Sequence, residues 1–226
     1  SLSDFFNVFE KKSKGLKIQN PDWTQKSMLW KKKYPIVLKH YRTQKKFVNP
    51  YFFMERLSKY LSKDDVVVAD DGAHLTWAIQ SLKVLKQQRL FSAFGNSPMG
   101  YAFPAAIGAS IALNKKKIIC IDGDGSIQIN IQELQTLASN KLPIKIIVIN
   151  NEGYGIIKQF QELYLQKRHE AVDSKKGVTN PNFSKVAKAY GINYSEIKKN
   201  SNVDKILKKT IKSKKAEFIN VFIKPD

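Results

Sequence analysis

Cysteine is almost missing from this sequence, which contains a single one in 226 residues. One cysteine can form neither an intramolecular disulfide nor a cysteine metal cluster. It stands as Cys120 in the apolar run "IICI" at residues 118–121, where a packed thiol is expected rather than a nucleophile. The composition therefore favours a protein of a reducing, cytoplasmic compartment.

Long hydrophobic runs are missing as well. No apolar stretch approaches the roughly 20 residues that span a bilayer, so we expect no membrane partner. The first residues, "SLSDFFNVFEKKSKG", lack the basic, apolar and small-residue order of a signal peptide. They also lack an initiator methionine, which is consistent with a fragment or a processed chain. At 42% hydrophobic content, the length suffices for one α/β domain with an extension.

Acidic residues are scarce, since 19 Asp and Glu face 39 Lys and Arg and leave a formal net charge of +20. Such a charge invites a nucleic-acid-binding function, because basic side chains displace counterions from phosphates. However, the basic clusters consist mostly of lysine and lie far apart, at residues 31–33, 115–117, 175–176, 198–199, 208–209 and 214–215. We therefore expect a solvated lysine surface and no nucleic-acid partner, with a basic nucleic-acid-binding module as the non-enzyme alternative.

Hydrophobic patterning divides the chain near residue 50. Residues 1–49 are polar and basic, and we interpret them as a linker or extension from a preceding domain. Across residues 50–226, buried-strand patterns alternate with helical ones. Strands are predicted at 65–70, 117–122, 144–150 and 217–223, and helices at 51–61, 73–82, 103–113, 130–139, from 155, 182–190 and 203–213. Uniformly apolar strands separated by helices indicate an α/β fold, a doubly wound parallel sheet with helices on both faces.

Two of the predicted strands end in small polar clusters, "DGDGS" at 122–126 and "NNEG" at 150–153. Ligands of open parallel sheets lie at the carboxyl ends of the strands, so Asp124 and Asn151 are expected at one edge. Their oxygens, with a backbone carbonyl, suit Mg²⁺ or Ca²⁺. Gly123, Gly125 and Ser126 precede a helix, where free amides can meet a phosphate. Either cluster by itself is an ordinary turn, but together they indicate a metal between a carboxylate and a phosphate.

The spacing of the two clusters resembles the fingerprint of the thiamine-diphosphate-dependent enzymes, which begins Gly-Asp-Gly and ends Asn-Asn. Three further segments resemble the acetolactate synthase-like branch of that family: the cofactor-bending segment "SPMGYAFPAAIGAS", an earlier cofactor loop "VVVADDGAHLTWAIQ" and the linker "WKKKYP". The resemblance covers about residues 20–223. It implies the C-terminal, diphosphate-binding domain of a longer enzyme.

The resemblance also implies roles for individual residues. Mg²⁺ would be bound by the side chains of Asp124 and Asn151 and by the carbonyl of Gly153. Met99 would support the bend of the cofactor and is the catalytic assignment in this chain, since the family's activating glutamate belongs to another domain. The other cofactor-binding positions implied are His74, Ser97, Gly123, Gly125, Ser126, Tyr154, Gly155, Ile156 and Ile157.

Four positions depart from the synthase pattern. Phe160 stands over the predicted substrate pocket, where the synthases usually carry a tryptophan that selects the second keto acid. His169 replaces a usual tyrosine, Ser97 a usual glycine and Ala73 a usual glutamine. Binding of diphosphate and metal is compatible with all four changes. The product is less determined, because specificity depends on pocket contacts rather than on fold.

The implied activity is decarboxylation of a 2-keto acid on thiamine diphosphate, with ligation of the product to a second carbonyl. Another thiamine-diphosphate carboligase or a 2-keto-acid decarboxylase is the alternative enzyme, and folate- or flavin-type nucleotide binding is a further one. The family implies 2-keto acid or aldehyde substrates, a pyrimidine-binding domain from the same or a neighbouring subunit, and a homodimer or homotetramer. Use of FAD by the longer enzyme stays open. Without the activating glutamate, we expect no turnover from this chain by itself.

Overall fold

The computed structural model describes residues 1–16, 21–85 and 87–225, and it divides into two units, Ser1–Pro35 and Ile36–Asp226. The first unit holds helices α1 (Leu2–Ser13) and α2 (Pro21–Lys33). Residues 36–49, which the hydrophobic pattern placed in the extension, belong to the second unit, and Val48 is buried in its core. The link of residues 1–49 to a preceding domain stays a prediction.

The second unit alternates strands and helices along the chain. Its strands are β1 (Val66–Ala69), β2 (Arg89–Phe91), β3 (Ile118–Gly123), β4 (Lys145–Asn150), β5 (Asn193–Ile197) and β6 (Glu217–Phe222). Its helices are α3 (Lys39–Arg42), α4 (Pro50–Ser58), α5 (Ala73–Ser81), α6 (Ala102–Ala112), α7 (Glu133–Ser139), α8 (Gly155–Tyr164), α9 (Phe183–Ala189) and α10 (Asn200–Thr210). Two 3-10 turns lie at Ser126–Asn130 and Ser174–Lys176.

All described strand pairs are parallel, and the sheet has the order β2-β1-β3-β4-β6-β5. Helices α4, α5 and α10 pack in one core cluster, and α6, α7 and α9 pack in the other. Connections that run towards β5 thus place their helices on one face, and those that run back towards β2 use the opposite face. Right-handed crossovers require this arrangement. The predicted doubly wound parallel sheet is confirmed.

The central strands β1, β3 and β4 are buried at every residue, which explains the apolar runs from which they were predicted. The outer strands β2 and β5 were not predicted from the sequence. Each pairs on one side within the described sheet and is only partly buried, so neither needs the continuous apolar run that marks a central strand.

Cys120 is fully buried in β3, and burial raises the pKa of its thiol, as expected for packing rather than reactivity. No described helix is long and apolar enough to cross a membrane.

The strand order also places the candidate site. The chain leaves β1 for β2 through α5 on one face, and it leaves β3 for β4 through α7 on the other. Connections therefore diverge at the carboxyl ends of the neighbouring strands β1 and β3. Such a switch point opens a crevice at the edge of the sheet, which is where doubly wound proteins bind ligands.

Candidate functional site

A cleft of about 620 Å³ opens at this switch point. Three stretches of chain line most of it: the loop between β1 and α5, the loop after β3, and the segment from the end of β4 into α8. The predicted positions that line it are His74, Met99, Gly123, Asp124, Gly125, Ser126, Asn151, Gly153, Tyr154, Gly155, Ile156 and Ile157. Sequence segments that lie far apart along the chain therefore meet in one cavity.

Asp124 joins the two polar clusters of the sequence. The residue is 2% exposed, and its Oδ2 accepts a hydrogen bond from the amide of Gly153 at 3.1 Å. Its Oδ1 accepts from the amide of Gly125 at 3.1 Å. Burial raises the pKa of Asp124 to about 6, against the lowering effect of its hydrogen bonds. A cation bound nearby would favour the ionised form of this carboxylate.

Glycines and the start of a helix form another part of the cleft lining. A Cβ on Gly125 would stand 2.1 Å from the ring of Tyr154, so close packing requires glycine there. Helix α8 begins at Gly155, and no side-chain hydrogen bond caps it among the described residues. Its first amides and the positive end of its dipole therefore face the cleft without a side-chain acceptor, which suits an anion such as a diphosphate.

His74 lies beneath the glycine-rich loop. A Cβ on Gly72 would stand 2.5 Å from its ring, and one on Gly123 would stand 3.2 Å away. The ring is buried, and its Nε2 has no hydrogen-bond partner within the part of the chain that the structure describes. Burial lowers the pKa of His74 to about 4, so the ring is neutral at pH 7. A buried polar atom without a partner beside a cleft is a group that a ligand can satisfy.

Two consecutive acids after β1 hold the segment that carries Met99. The carboxylate of Asp70 accepts from the amides of Gly100 at 2.8 Å and Ala102 at 2.7 Å. Asp70, His74 and Asp122 also place ligand-type atoms within 4.8 Å of one another in the core. The two amide hydrogen bonds to Asp70 anchor the loop that carries Met99.

Ser97 is the predicted cofactor-binding residue that does not line the cleft. Its hydroxyl donates to Oδ1 of Asp71 at 2.6 Å. Its φ of +46° lies in the left-handed region, which most residues other than glycine avoid. The hydrogen bond to Asp71 therefore holds a strained residue two positions before Met99.

Phe160 also lies apart from the cleft lining. It stands on α8, 53% exposed, with its ring centroid 4.8 Å from that of Tyr164. Helix α8 contributes no buried side chain among the described residues. Its exposed apolar residues are Ile156, Ile157, Phe160, Leu163 and Tyr164. The helix therefore presents an apolar face that starts at the cleft and continues beyond it.

Residues 70–221 match the family described as thiamine pyrophosphate enzyme, C-terminal TPP binding domain. The chain belongs to this family. The resemblance drawn from the Gly-Asp-Gly and Asn-Asn clusters is confirmed, and thiamine diphosphate is the cofactor of such domains.

Relatives of the domain are acetolactate synthases. The large subunit of Porphyra purpurea is 33% identical over 211 residues, which are 93% of this chain and 35% of that protein. The large subunit of Cyanidium caldarium is 39% identical over 176 residues, 78% of this chain and 29% of that protein. The mitochondrial enzyme of Schizosaccharomyces pombe is 32% identical over 220 residues, 96% of this chain and 32% of that protein. The predicted acetolactate synthase-like branch is confirmed, and the chain spans about a third of these relatives.

A solved structure shares the fold. It is the thiamine diphosphate-dependent 4-hydroxybenzoylformate decarboxylase of Rhodococcus jostii RHA1, with a TM-score of 0.71 and 21% sequence identity. The match covers 80% of this chain and 33% of that chain. At this identity the likeness concerns the fold.

Several residues of this TPP-binding domain were not predicted from the sequence. Asp71, Trp77, Ile149 and Ile223 line the cleft, and Asn180 hydrogen-bonds to Asp124. Asp71 and Ile149 could have been found by the rule used for Asp124, since both lie near the carboxyl end of a strand. Asn180 carries no such signal, because "TNPN" is ordinary loop composition.

Gly153→Ala is expected to destabilise the domain and disturb the cleft. The added Cβ would stand 2.2 Å from the backbone carbonyl oxygen of Val172, which no side-chain rotation can move away. Forced overpacking of this kind costs about 1–3 kcal/mol of unfolding free energy. Denaturant unfolding of the purified chain measures the loss.

The matched control is Gly108→Ala, because a Cβ at Gly108 meets no described atom within 4 Å. Gly108 lies within α6, where alanine is favoured over glycine by about 1 kcal/mol. This variant should be as stable as the wild-type chain or more so. Equal stability of Gly153→Ala and wild type would show that the segment around Val172 yields easily.

Proposed function

We propose that this domain binds thiamine diphosphate through Mg²⁺ in the cleft. The domain would serve an acetolactate synthase-like enzyme that decarboxylates a 2-keto acid and ligates the product to a second carbonyl. The observation that carries the proposal is the convergence of Asp124, Asn151 and Gly153 with a glycine-rich wall in one cleft. The acetolactate synthase relatives support the choice of reaction.

The donor set fits Mg²⁺. A carboxylate, an amide side chain and a backbone carbonyl are hard oxygen ligands, and Mg²⁺ takes one or two carboxylates together with phosphate oxygens. Asp124 would supply the charge, Asn151 its amide oxygen and Gly153 its carbonyl. A bound cation would also keep Asp124 ionised despite its burial, because metal binding favours the deprotonated ligand.

The remaining wall fits a diphosphate. The amides at Gly125, Ser126 and the first turn of α8 would donate to its oxygens, and the helix dipole favours its negative charge. His74 would hold the diphosphate side, and Met99 would support the bend of the cofactor with a flexible, polarizable side chain. When bound, thiamine diphosphate supplies the electron sink for decarboxylation. The chain's own work is to clamp the diphosphate, orient the reactive ring and exclude water.

The exposed apolar face of α8 supports the proposed partner. Large apolar side chains beside a cleft that binds a charged cofactor suggest a surface covered by another domain. We assign that role to the pyrimidine-binding domain of the same or a neighbouring subunit, in a homodimer or homotetramer. FAD in the longer enzyme and a cytoplasmic setting stay predictions.

Phe160 is the reason to consider a second enzymatic activity. It occupies the position at which the synthases usually carry a tryptophan that selects the second keto acid. A 2-keto-acid decarboxylase or another carboligase would release CO₂ from the same first step without making acetolactate. The longer enzyme, supplied with pyruvate, would distinguish them by its products: acetolactate for a synthase, acetaldehyde for a decarboxylase.

Cofactor binding itself can be tested on this chain through Trp77, which lines the cleft. Titration with thiamine diphosphate and Mg²⁺ should quench tryptophan fluorescence, and EDTA should restore it. The variant Trp77→Phe should lose most of the quench, because Trp77 is the tryptophan among the residues that line the cleft. A signal that does not depend on Mg²⁺ would argue against the metal-bridged site.

A salt-dependence measurement separates this proposal from nucleic-acid binding. If the lysines form a solvated surface, affinity for random duplex DNA should be weak and should be lost by about 200 mM salt. Fluorescence anisotropy with labelled duplexes of different sequence measures this. Tight, sequence-selective binding at physiological salt would contradict the interpretation of the +20 charge as a solvated surface.

A further inference from the structure

We infer that Asn180, together with Gln128, is a positioning residue for the carboxylate of Asp124, and that it selects which oxygen of that carboxylate faces the metal. The inference rests on the proposed function. Asn180 lies in the loop before α9, 56 residues beyond Asp124 in the sequence. The fold brings it to the metal-side carboxylate from outside both polar clusters.

The contacts form a closed set around Asp124. Nδ2 of Asn180 donates to Oδ2 of Asp124 at 2.5 Å. Nε2 of Gln128 donates both to Oδ1 of Asn180 and to the backbone carbonyl of Asp124, each at 2.9 Å. Gln128 therefore fixes the orientation of the Asn180 amide, since its donor can reach only the carbonyl end of that amide. The side chain and the main chain of Asp124 are held by one network.

The number of hydrogen bonds that each carboxylate oxygen can accept decides which oxygen of Asp124 stays open to a cation. A carboxylate offers about four lone-pair sites, two on each oxygen. Oδ2 of Asp124 accepts from Gly153 and Asn180, which fills it. Oδ1 accepts from the amide of Gly125 and keeps one site. The network therefore leaves Oδ1 as the oxygen available to a cation, and the loss of Asn180 would free Oδ2 and let the carboxylate turn.

If Asn180 had only a structural role, replacing it would lower the stability of the chain and leave its metal affinity unchanged. Asn182 provides the matched control for such a role. Asn182 lies in the same loop and caps α9, where its side chain accepts from the amide of Lys185 at 3.1 Å. Asn182→Ala should lower the denaturant midpoint of the chain, because a lost N-cap destabilises a helix. It should leave metal affinity unchanged, since the contacts of Asn182 do not involve Asp124.

The test uses Mn²⁺ as the probe, with thiamine diphosphate present, and counts free and bound ion by electron paramagnetic resonance. Asn180→Ala is expected to weaken Mn²⁺ binding about 10- to 100-fold, the range typical of groups that orient a metal ligand. The spectrum of the residual bound Mn²⁺ should also broaden, as the carboxylate no longer takes one orientation. Unchanged affinity in Asn180→Ala would overturn the inference.

Gln128→Ala gives a second, independent variant in case Asn180→Ala folds poorly. It should weaken Mn²⁺ binding less, and the double variant should lose no more than the sum of the two, because partners in one network are not additive. If the wild-type chain binds no Mn²⁺ with thiamine diphosphate, the proposed function and this inference both fail. If the wild type binds it and Asn180→Ala binds it equally, only the inference fails.

Discussion

Replacing Asp124 with alanine is expected to remove metal and cofactor binding together. Asp124 would be the charged member of the proposed metal set. Its carboxylate also accepts hydrogen bonds from the amides of Gly125 and Gly153, which belong to two of the loops that line the cleft. The loss should exceed the roughly 100-fold that changes around a metal ligand produce. Isothermal titration with thiamine diphosphate at saturating Mg²⁺ measures it.

Two variants control this prediction. Asp124→Asn keeps the shape of the side chain and removes its charge, so it separates the loss of the charge from the loss of packing. Asp64→Ala removes a carboxylate that pairs with Lys116 near the amino end of the sheet, and cofactor affinity should not change. Wild-type affinity in Asp124→Ala would remove the basis of the metal assignment.

A second large effect is expected at Lys145, at the other end of the sheet. Its side chain is fully buried at the start of β4, where Nζ donates to the backbone carbonyl of Lys215 and the paired residue on β6 is Glu217. Burial lowers the pKa of Lys145 from 10.5 to about 8. Glu217 opposes the shift, and the charge of Lys117 adds to it.

The direction in which the unfolding free energy changes with pH follows from proton binding. Between pH 8 and 10.5 the lysine is protonated in the unfolded chain and mostly neutral in the folded one, so the unfolded state binds more protons. The unfolding free energy should therefore rise with pH across this window, by at most about 3 kcal/mol for a shift of this size. Below pH 8 both states are charged, and the full cost of burial is present.

Comparison with Lys145→Met isolates this contribution, because methionine does not titrate. The difference in unfolding free energy between wild type and variant should change across pH 8 to 10.5 in favour of the wild type. The matched control is the same substitution at Lys208 of α10, which is exposed. A difference at Lys145 that stays flat with pH would mean that the buried amine keeps an ordinary pKa.

The fold was largely predictable where burial acts on every residue of an element. Strands β1, β3 and β4 are buried on both faces, and that requirement appears in the sequence as uninterrupted apolar runs. The outer strands β2 and β5 carry Arg89 and Asn193 at exposed positions, and no such run marks them. The buried Lys145 was likewise absent from the sequence predictions, because a lysine at a strand start is normally solvated.

The residues of the site likewise fall into those that the sequence predicted and those that it did not. The clusters after β3 and β4 were recognisable because both belong to consecutive local motifs at strand ends, which parallel pairing then aligns. Asn180 and Gln128 are ordinary polar residues in sequence, and their meaning depends on contacts to Asp124. Ser97 and Phe160 were placed in the site by resemblance, whereas the structure keeps both out of the cleft lining. Their roles at the cofactor and substrate stay predictions.

Local patterns in the sequence, namely periodicity, turn residues and a fixed motif spacing, were enough to predict the layered α/β class, the polar strand ends and the thiamine diphosphate family. The hydrogen bonds that hold Asp124, the oxygen that stays available and the anchoring of the Met99 segment by Asp70 and Asp71 became known only from the fold. Those contacts join residues that are distant in the chain. Their energies depend on distances and burial that arise only when the sheet has formed.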